Sequence, residues 1–202
     1  MTSQTRVGER RPGGRSARVR AAVLAATLEL LADRGYDALS YEEVADRSGV
    51  HKTTVYRRWP TKAELVGEAA REHSLQLVPV PDTGTLAGDL RALARAIVAN
   101  IGSAPGGPMV RAMVAAQCTS PEVAADMVRF WRERLDLTTP IVERASHRGE
   151  VPPGMDPTLV IETLIGSFYV RLLLTGEPID RRIADQAAAL VAAGVTHAHQ
   201  QG

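Results

Sequence analysis

The residues best equipped for chemistry stand in one short run: His51, Lys52, Thr53, Thr54, Tyr56 and Arg57. Together they offer cations, hydroxyl donors and acceptors, an imidazole and a methyl group. Lys52 or Arg57 can pair with guanine O6 and N7, and a threonine methyl can pack on thymine. Cations left over can neutralise phosphates, which fix register without reading sequence. This chemistry requires a rigid, narrow element that presents one face to a DNA groove. Ser40 and Tyr41 lie a little upstream, at the expected start of a helix, where unpaired backbone N–H groups can face a phosphate.

The flanking sequence supplies such an element. Ser40 followed by Glu43 is a capping box, so a helix starts near Tyr41, with Val44 and Ala45 turned inward. Gly49 follows Ser48 where the chain must turn sharply. Val50 and Val55 give the next short helix its apolar face. Trp59-Pro60 stops that helix, because the residue before a proline disfavours helical backbone. Thr61 and Glu64 form a second capping box, opening a helix to about Leu77 with Leu65, Val66, Ala69 and Ala70 inward. Two short helices joined by a tight turn describe a helix-turn-helix, whose second helix enters the major groove. Upstream, Leu24, Leu28 and Leu31 recur at helical spacing from Ser16 until Gly35, giving a third helix that backs the other two. Residues 1–14 carry Arg10, Arg11, Pro12, Gly13 and Gly14 without periodicity. They are expected to form a flexible basic arm able, with Arg15, to follow a DNA backbone.

Residues 15–66 closely resemble the N-terminal domain of TetR-family transcriptional regulators. The matching features are Gly49-Val50, the central Tyr56, Trp59-Pro60 and Lys62; the family more often has Phe before that proline. The resemblance implies phosphate contacts from Tyr56 and Lys62. A second resemblance, to one TetR C-terminal subtype, is carried by Glu143-Arg144-Ala145, Arg148-Gly149-Glu150, Asp156-Pro157, the run from Gly166 to Arg171, and Gly176-Glu177-Pro178. It implies a small-molecule pocket between body helices and a four-helix dimer interface.

The rest of the chain reads as helices. They are expected over 85–103, 108–118, 121–147, 157–175 and 180–193, separated by Pro- and Gly-rich breaks. No strand pattern or internal repeat is visible. Ser120-Pro121 and Asp156-Pro157 each place a capping residue before a proline, a common helix start. The body gathers Met109, Met113, Met127, Trp131 and Phe168 in a chain only 4% aromatic. These residues are assigned to an effector pocket, with a filled core as the alternative. Ile161, Ile165, Tyr169, Leu173, Ala187, Leu190 and Val191 exceed what one small core needs and are assigned to the dimer interface.

Composition narrows the function classes. The net charge of +1 is distributed unevenly, a basic N-terminal third preceding an acidic remainder, as suits a nucleic-acid-binding end. The single cysteine, Cys118, excludes an internal disulfide framework and a four-cysteine zinc site. His73 and His147 are isolated, and His197 and His199 sit near the C-terminus, so no metal site, cofactor or catalytic residue is expected. No signal peptide and no run of about 20 apolar residues is recognised, so a cytoplasmic location without membrane contact is expected.

The expected fold is all-α. A flexible arm (1–14) precedes a three-helix helix-turn-helix head (15–62) and a larger helical ligand-binding and dimerisation body (63–202), with about nine helices in all. The expected function is a TetR-like homodimeric DNA-binding regulator, a repressor released from a pseudo-palindromic double-stranded operator by a small-molecule effector with apolar parts. The alternatives are a ligand-independent DNA-binding dimer and, from another class, a helical carrier or enzyme.

Overall fold

The computed structural model describes residues 13–201. Residues 1–12 of the expected arm, with Arg10 and Arg11, fall outside the described residues. All regular structure among the described residues is helical. The head comprises α1 (Gly13–Ala38), α2 (Tyr41–Ser48) and α3 (Lys52–Arg58). α4 (Lys62–Leu77) leads into the body, built from α5 (Leu86–Ile101), α6 (Gly106–Gln117), α7 (Pro121–Thr138), α8 (Pro140–His147), α9 (Pro157–Val170) and α10 (Arg181–Gln201). Only Thr139 separates α7 from α8, so the two form the expected long helix with a proline kink; counted as one, they bring the total to nine. A π-helical turn, Arg171–Thr175, prolongs α9. α10 continues well past the expected stop near Ala193.

The local signals act as the sequence predicts. Ser40 caps α2: its hydroxyl accepts from the Glu43 amide at 3.3 Å and donates to the Glu43 carboxylate at 3.0 Å. Such a cap contributes roughly 1 kcal/mol. Gly49 ends α2 with φ 66°, a left-handed conformation that β-carbon-bearing residues adopt only with strain. Val50 then reaches back to the Ala45 carbonyl at 3.1 Å, closing the turn. Thr61 caps α4 through the Glu64 amide at 3.2 Å. The helical path of α1 breaks at Gly35.

The core has two parts. One joins α1–α4 to α6 and α7: Leu31, Val44, Val55, Trp59 and Leu65 are continuous with Met109, Met113 and Met127. The other lies within the body, around Leu90, Leu93, Ile141, Leu164 and Phe168. The head is therefore not a bead on a string: α1 packs along α6 and α4 along α7. The linker after α4 is also fastened. Arg134 donates to the Val78 carbonyl at 3.2 Å and Arg144 to the Pro81 carbonyl at 2.6 Å. A two-point bond from Arg95 to Asp185, at 2.6 and 2.9 Å, ties α5 to α10.

One expectation about membranes needs correction. Residues 157–175 reach the length and mean hydropathy (1.5) of a bilayer span. Two sides of this helix are apolar towards the interior of the body, and a third is exposed. Val160, Leu164, Phe168 and Leu172 are buried in the body core. Ile161, Ile165, Tyr169 and Leu173 face a cavity. Leu159, Val170 and Leu174 stand exposed at 54%, 47% and 79%.

Candidate nucleic-acid interface and effector cavity

The head places α3 on its surface. Val55 is fully buried beneath it, while His51, Lys52, Thr53, Tyr56, Arg57 and Arg58 are exposed. Thr54 is half-buried, beside Ser16, Val19 and Val23 of α1, so it looks into the α1–α3 seam. Seven residues make α3 too short to be stable alone, so its geometry is imposed by its anchors. The main anchor is Trp59, 2% exposed. Its carbonyl accepts the Tyr41 hydroxyl at 2.7 Å, and its Nε1 donates to Glu68 of α4 at 2.6 Å. Arg20 of α1 meets the same carboxylate at 2.5 Å and Glu72 at 3.0 Å. One carboxylate thus binds α1, α3 and α4 together. Burial works against charging Glu68, but the bonds from Trp59 and Arg20 outweigh it and hold the carboxyl below its usual range. Burial, with Tyr56 beside it, pushes the Tyr41 hydroxyl up to about 12, so it remains a donor.

Tyr56 stacks on Tyr41, ring centroids 4.0 Å apart, with the Lys52 ammonium 5.4 Å from its ring. This stacking holds Tyr56 at the surface, and its hydroxyl makes no hydrogen bond to the described residues. Lys52 of α3 pairs with Glu42 of α2, and Arg47 of α2 with Glu29 and Asp33 of α1, so part of the head's positive charge is neutralised by neighbouring helices. Arg57 has no ion-pair partner among the described residues. Arg58, not singled out by the sequence pattern, lies over the Trp59 ring at 5.3 Å. The N-terminus of α2 at Ser40 and Tyr41 adjoins the same surface, though both side chains are engaged in the scaffold. Lys62 has partners within the head that the sequence pattern did not show. Its ammonium is drawn to the carbonyls of Tyr36 (2.9 Å) and Asp37 (3.3 Å) and over the Tyr36 ring, closing the end of α1 instead of projecting outward.

A second feature lies in the body: a cavity of about 250 Å³ between α4–α7 and α9. Met109, Met113, Met127 and Trp131 line it, as the sequence suggests. Phe168 does not; it is fully buried in the body core. The next residue, Tyr169, takes the cavity position, about 100° further round the helix. Tyr169 stands edge-on to Trp131 at 5.2 Å, and Trp131 to Phe130 at 5.5 Å. Ile161, Ile165, Tyr169 and Leu173, assigned from sequence to a dimer interface, all face this cavity. Ala187 is buried and Val191 half-buried against the body core, leaving Leu190, 75% exposed, as the one residue of that set on open surface. Helical period identifies apolar stripes but does not say which neighbour each one meets. The cavity residues Asn100, Phe130 and Arg134 were missed because single polar or aromatic residues carry no period.

These features define a helix-turn-helix regulator with an internal cavity, and comparison with known proteins gives the family. Residues 23–69 match "Bacterial regulatory proteins, tetR family", and residues 80–191 match "Tetracyclin repressor-like, C-terminal domain". The HTH-type transcriptional regulator AqdR of Rhodococcus erythropolis is 34% identical over 89% of this chain and 86% of its own length. The crystal structure of the TetR family transcription regulator SCO0332 superposes with a TM-score of 0.73 at 32% identity, covering 88% of this chain and 98% of that one. FadR of Bacillus subtilis, solved in complex with stearoyl-CoA, shares the fold at 14% identity and a TM-score of 0.72, covering 87% and 98%. The chain belongs to the TetR family of DNA-binding transcriptional regulators.

Proposed function

We propose that this regulator is a homodimeric repressor that leaves a pseudo-palindromic operator when a small molecule with apolar parts enters the body cavity. The observation that carries the reading is the course of α4. Its first turns hold the recognition helix through Glu68 and Trp59. Its last turns, through Ala70, Ser74 and Val78, line the cavity. Glu68 and Ser74 lie on one unbroken helix, roughly 9 Å apart along its axis, so the two sites share a single rigid element. A ligand that fits a different α4 position better than the DNA-bound one shifts the head by that difference in affinity. FadR, a fold neighbour with stearoyl-CoA bound, supports an effector with apolar parts.

On the DNA side, His51, Lys52, Thr53 and Arg57 read bases, while Tyr56 and the α2 N-terminus at Ser40 and Tyr41 meet phosphates. Residues 15–62 serve as the DNA-binding unit and 63–202 as the ligand-binding and dimerisation unit. The dimer face is the exposed stripe of Leu159, Thr163, Gly166, Val170 and Leu174, with Leu190 of α10 beside it. A pair of such faces closes by two-fold symmetry, which sets two recognition helices about one DNA turn apart.

Selection of bound sequences from random DNA should return inverted half-sites; recovery of unpaired sites would refute the dimeric reading. Filling the cavity with Ile165→Trp should leave operator binding intact and abolish release by any effector found in a screen. Val170→Asp should yield folded monomers in sedimentation with weakened operator binding, since the site is exposed in one chain and buried in a pair. A folded mutant that stays dimeric would move the interface elsewhere.

A further inference from the structure

Resting on the reading of the cavity as the effector site, we propose that the effector is an apolar molecule bearing one anionic head, received by Arg134 and Tyr169. The cavity wall is mostly aliphatic, thioether and aromatic, and among the described residues Arg134 is its one charged group. No carboxylate of the described residues lines it, so a cationic ligand would lie unpaired beside an arginine.

Arg134 differs from the ion-paired arginines of the body; Arg111 and Arg171 also bond only a carbonyl, of Leu172 and Pro178, but neither lines the cavity. Arg95 has Asp185, Arg71 has Glu133, Arg144 has Asp82 and Asp89, and Arg148 has Glu150. Arg134 has only the neutral Val78 carbonyl, at 3.2 Å. A guanidinium carries five N–H donors, and one such bond leaves most of them unused. Burial lowers the pKa of Arg134, opposed only by the nearby Tyr169, so the cation is desolvated without a counter-ion. Burial raises the Tyr169 hydroxyl, which therefore remains a proton donor, and it makes no hydrogen bond to the described residues. Two donors side by side in an apolar wall fit a carboxylate, sulfonate or ionised enol. A carboxylate on arginine can form the paired, charge-assisted bonds that are the strongest of this type. The volume, about 250 Å³, is just below the usual range for ligand sites and suits a compact molecule.

The head also bears on the switch. Val78 is the cap residue of α4. An anion that takes the free donors of Arg134 shares the guanidinium with the Val78 carbonyl, and so touches one fastening of the end of α4.

The test uses the full chain and two fluorescent probes of nearly the same ring system: 1-anilinonaphthalene-8-sulfonate, anionic, and N-phenyl-1-naphthylamine, neutral. The wild-type protein should bind the anionic probe more tightly. Arg134→Met should weaken the anionic probe roughly tenfold or more, the scale of a charged hydrogen bond, and leave the neutral probe nearly unchanged. Arg134→Lys should restore part of the preference, and Tyr169→Phe should lower it less than Arg134→Met. Because the readout is a ratio within one variant, a loss of stability that affects both probes does not imitate the result. An unchanged ratio in Arg134→Met overturns the anionic assignment while leaving the cavity reading intact. If neither probe binds, or if both bind Ile165→Trp as well as wild type, the cavity is not the site and both readings fall. Decanoate should displace the anionic probe where decylamine does not; equal displacement by both also overturns the proposal.

Discussion

The head and the body bury comparable apolar side chains but use them in opposite ways. In the head the core is scaffold only. Val55 and Trp59 are buried so that six of their neighbours on or beside α3 can stand in solvent. Function there lies in what projects outward. In the body, function lies in space that the core leaves unfilled, and the same side chains that stabilise the fold line the cavity. An outward site tolerates a rigid, locally encoded support. An inward site depends on how several distant helices happen to meet.

The sharpest way to break this contrast is Trp59→Ala. The substitution empties a buried site and removes the Nε1 bond to Glu68, so it should cost about 3–5 kcal/mol in thermal or denaturant unfolding. It should abolish operator binding while probe binding in the body cavity survives at temperatures where the chain is folded. Simultaneous loss of both in a folded protein would mean that head and body are one mechanical unit.

A smaller effect should come from Arg57→Ala, which touches only the outward face. Operator affinity should fall by about 1–3 kcal/mol, with relaxed preference at one base pair and unchanged stability. Titration against operator and random DNA decides this; equal loss on both, with a shallower salt dependence, would make Arg57 a phosphate contact.

The smallest effect sharpens the junction between the two regions. The Glu68 carboxyl is held below its usual range when folded, so in acid the unfolded chain binds its proton first. The stability it contributes is present above the usual carboxylate pKa of about 4.3 and is lost as pH falls through the lower folded value. Glu68→Gln should flatten this part of the acid branch, followed by unfolding experiments at stepped pH. An acid branch identical in the mutant would show that the bonds to Trp59 and Arg20 contribute no proton-linked stability.

What the sequence determined by itself was local. Capping boxes at Ser40 and Thr61, the turn at Gly49, the stop at Trp59-Pro60 and the proline starts at Pro121 and Pro157 appear where the pattern put them. Each depends on residues within a few positions, whose backbone preferences act whatever surrounds them. The exposed residues of α3 were legible for the same reason, because a short capped helix has one buried side and the rest must face water. What only the tertiary structure decided was the partner of each apolar stripe and the fate of single polar groups. On α9, Phe168 and Tyr169 are adjacent in sequence and equally aromatic, yet one is sealed in the core and the other opens into the cavity. For Lys62 the pattern gave no sign that the end of α1 lies within its reach and offers two carbonyls. Arg134 had no signal at all, since an arginine on an amphipathic helix looks the same whether a carboxylate or an empty space lies opposite. Burial energy is non-directional, so periodicity shows that a face will be covered, and only the packing of distant helices determines by what.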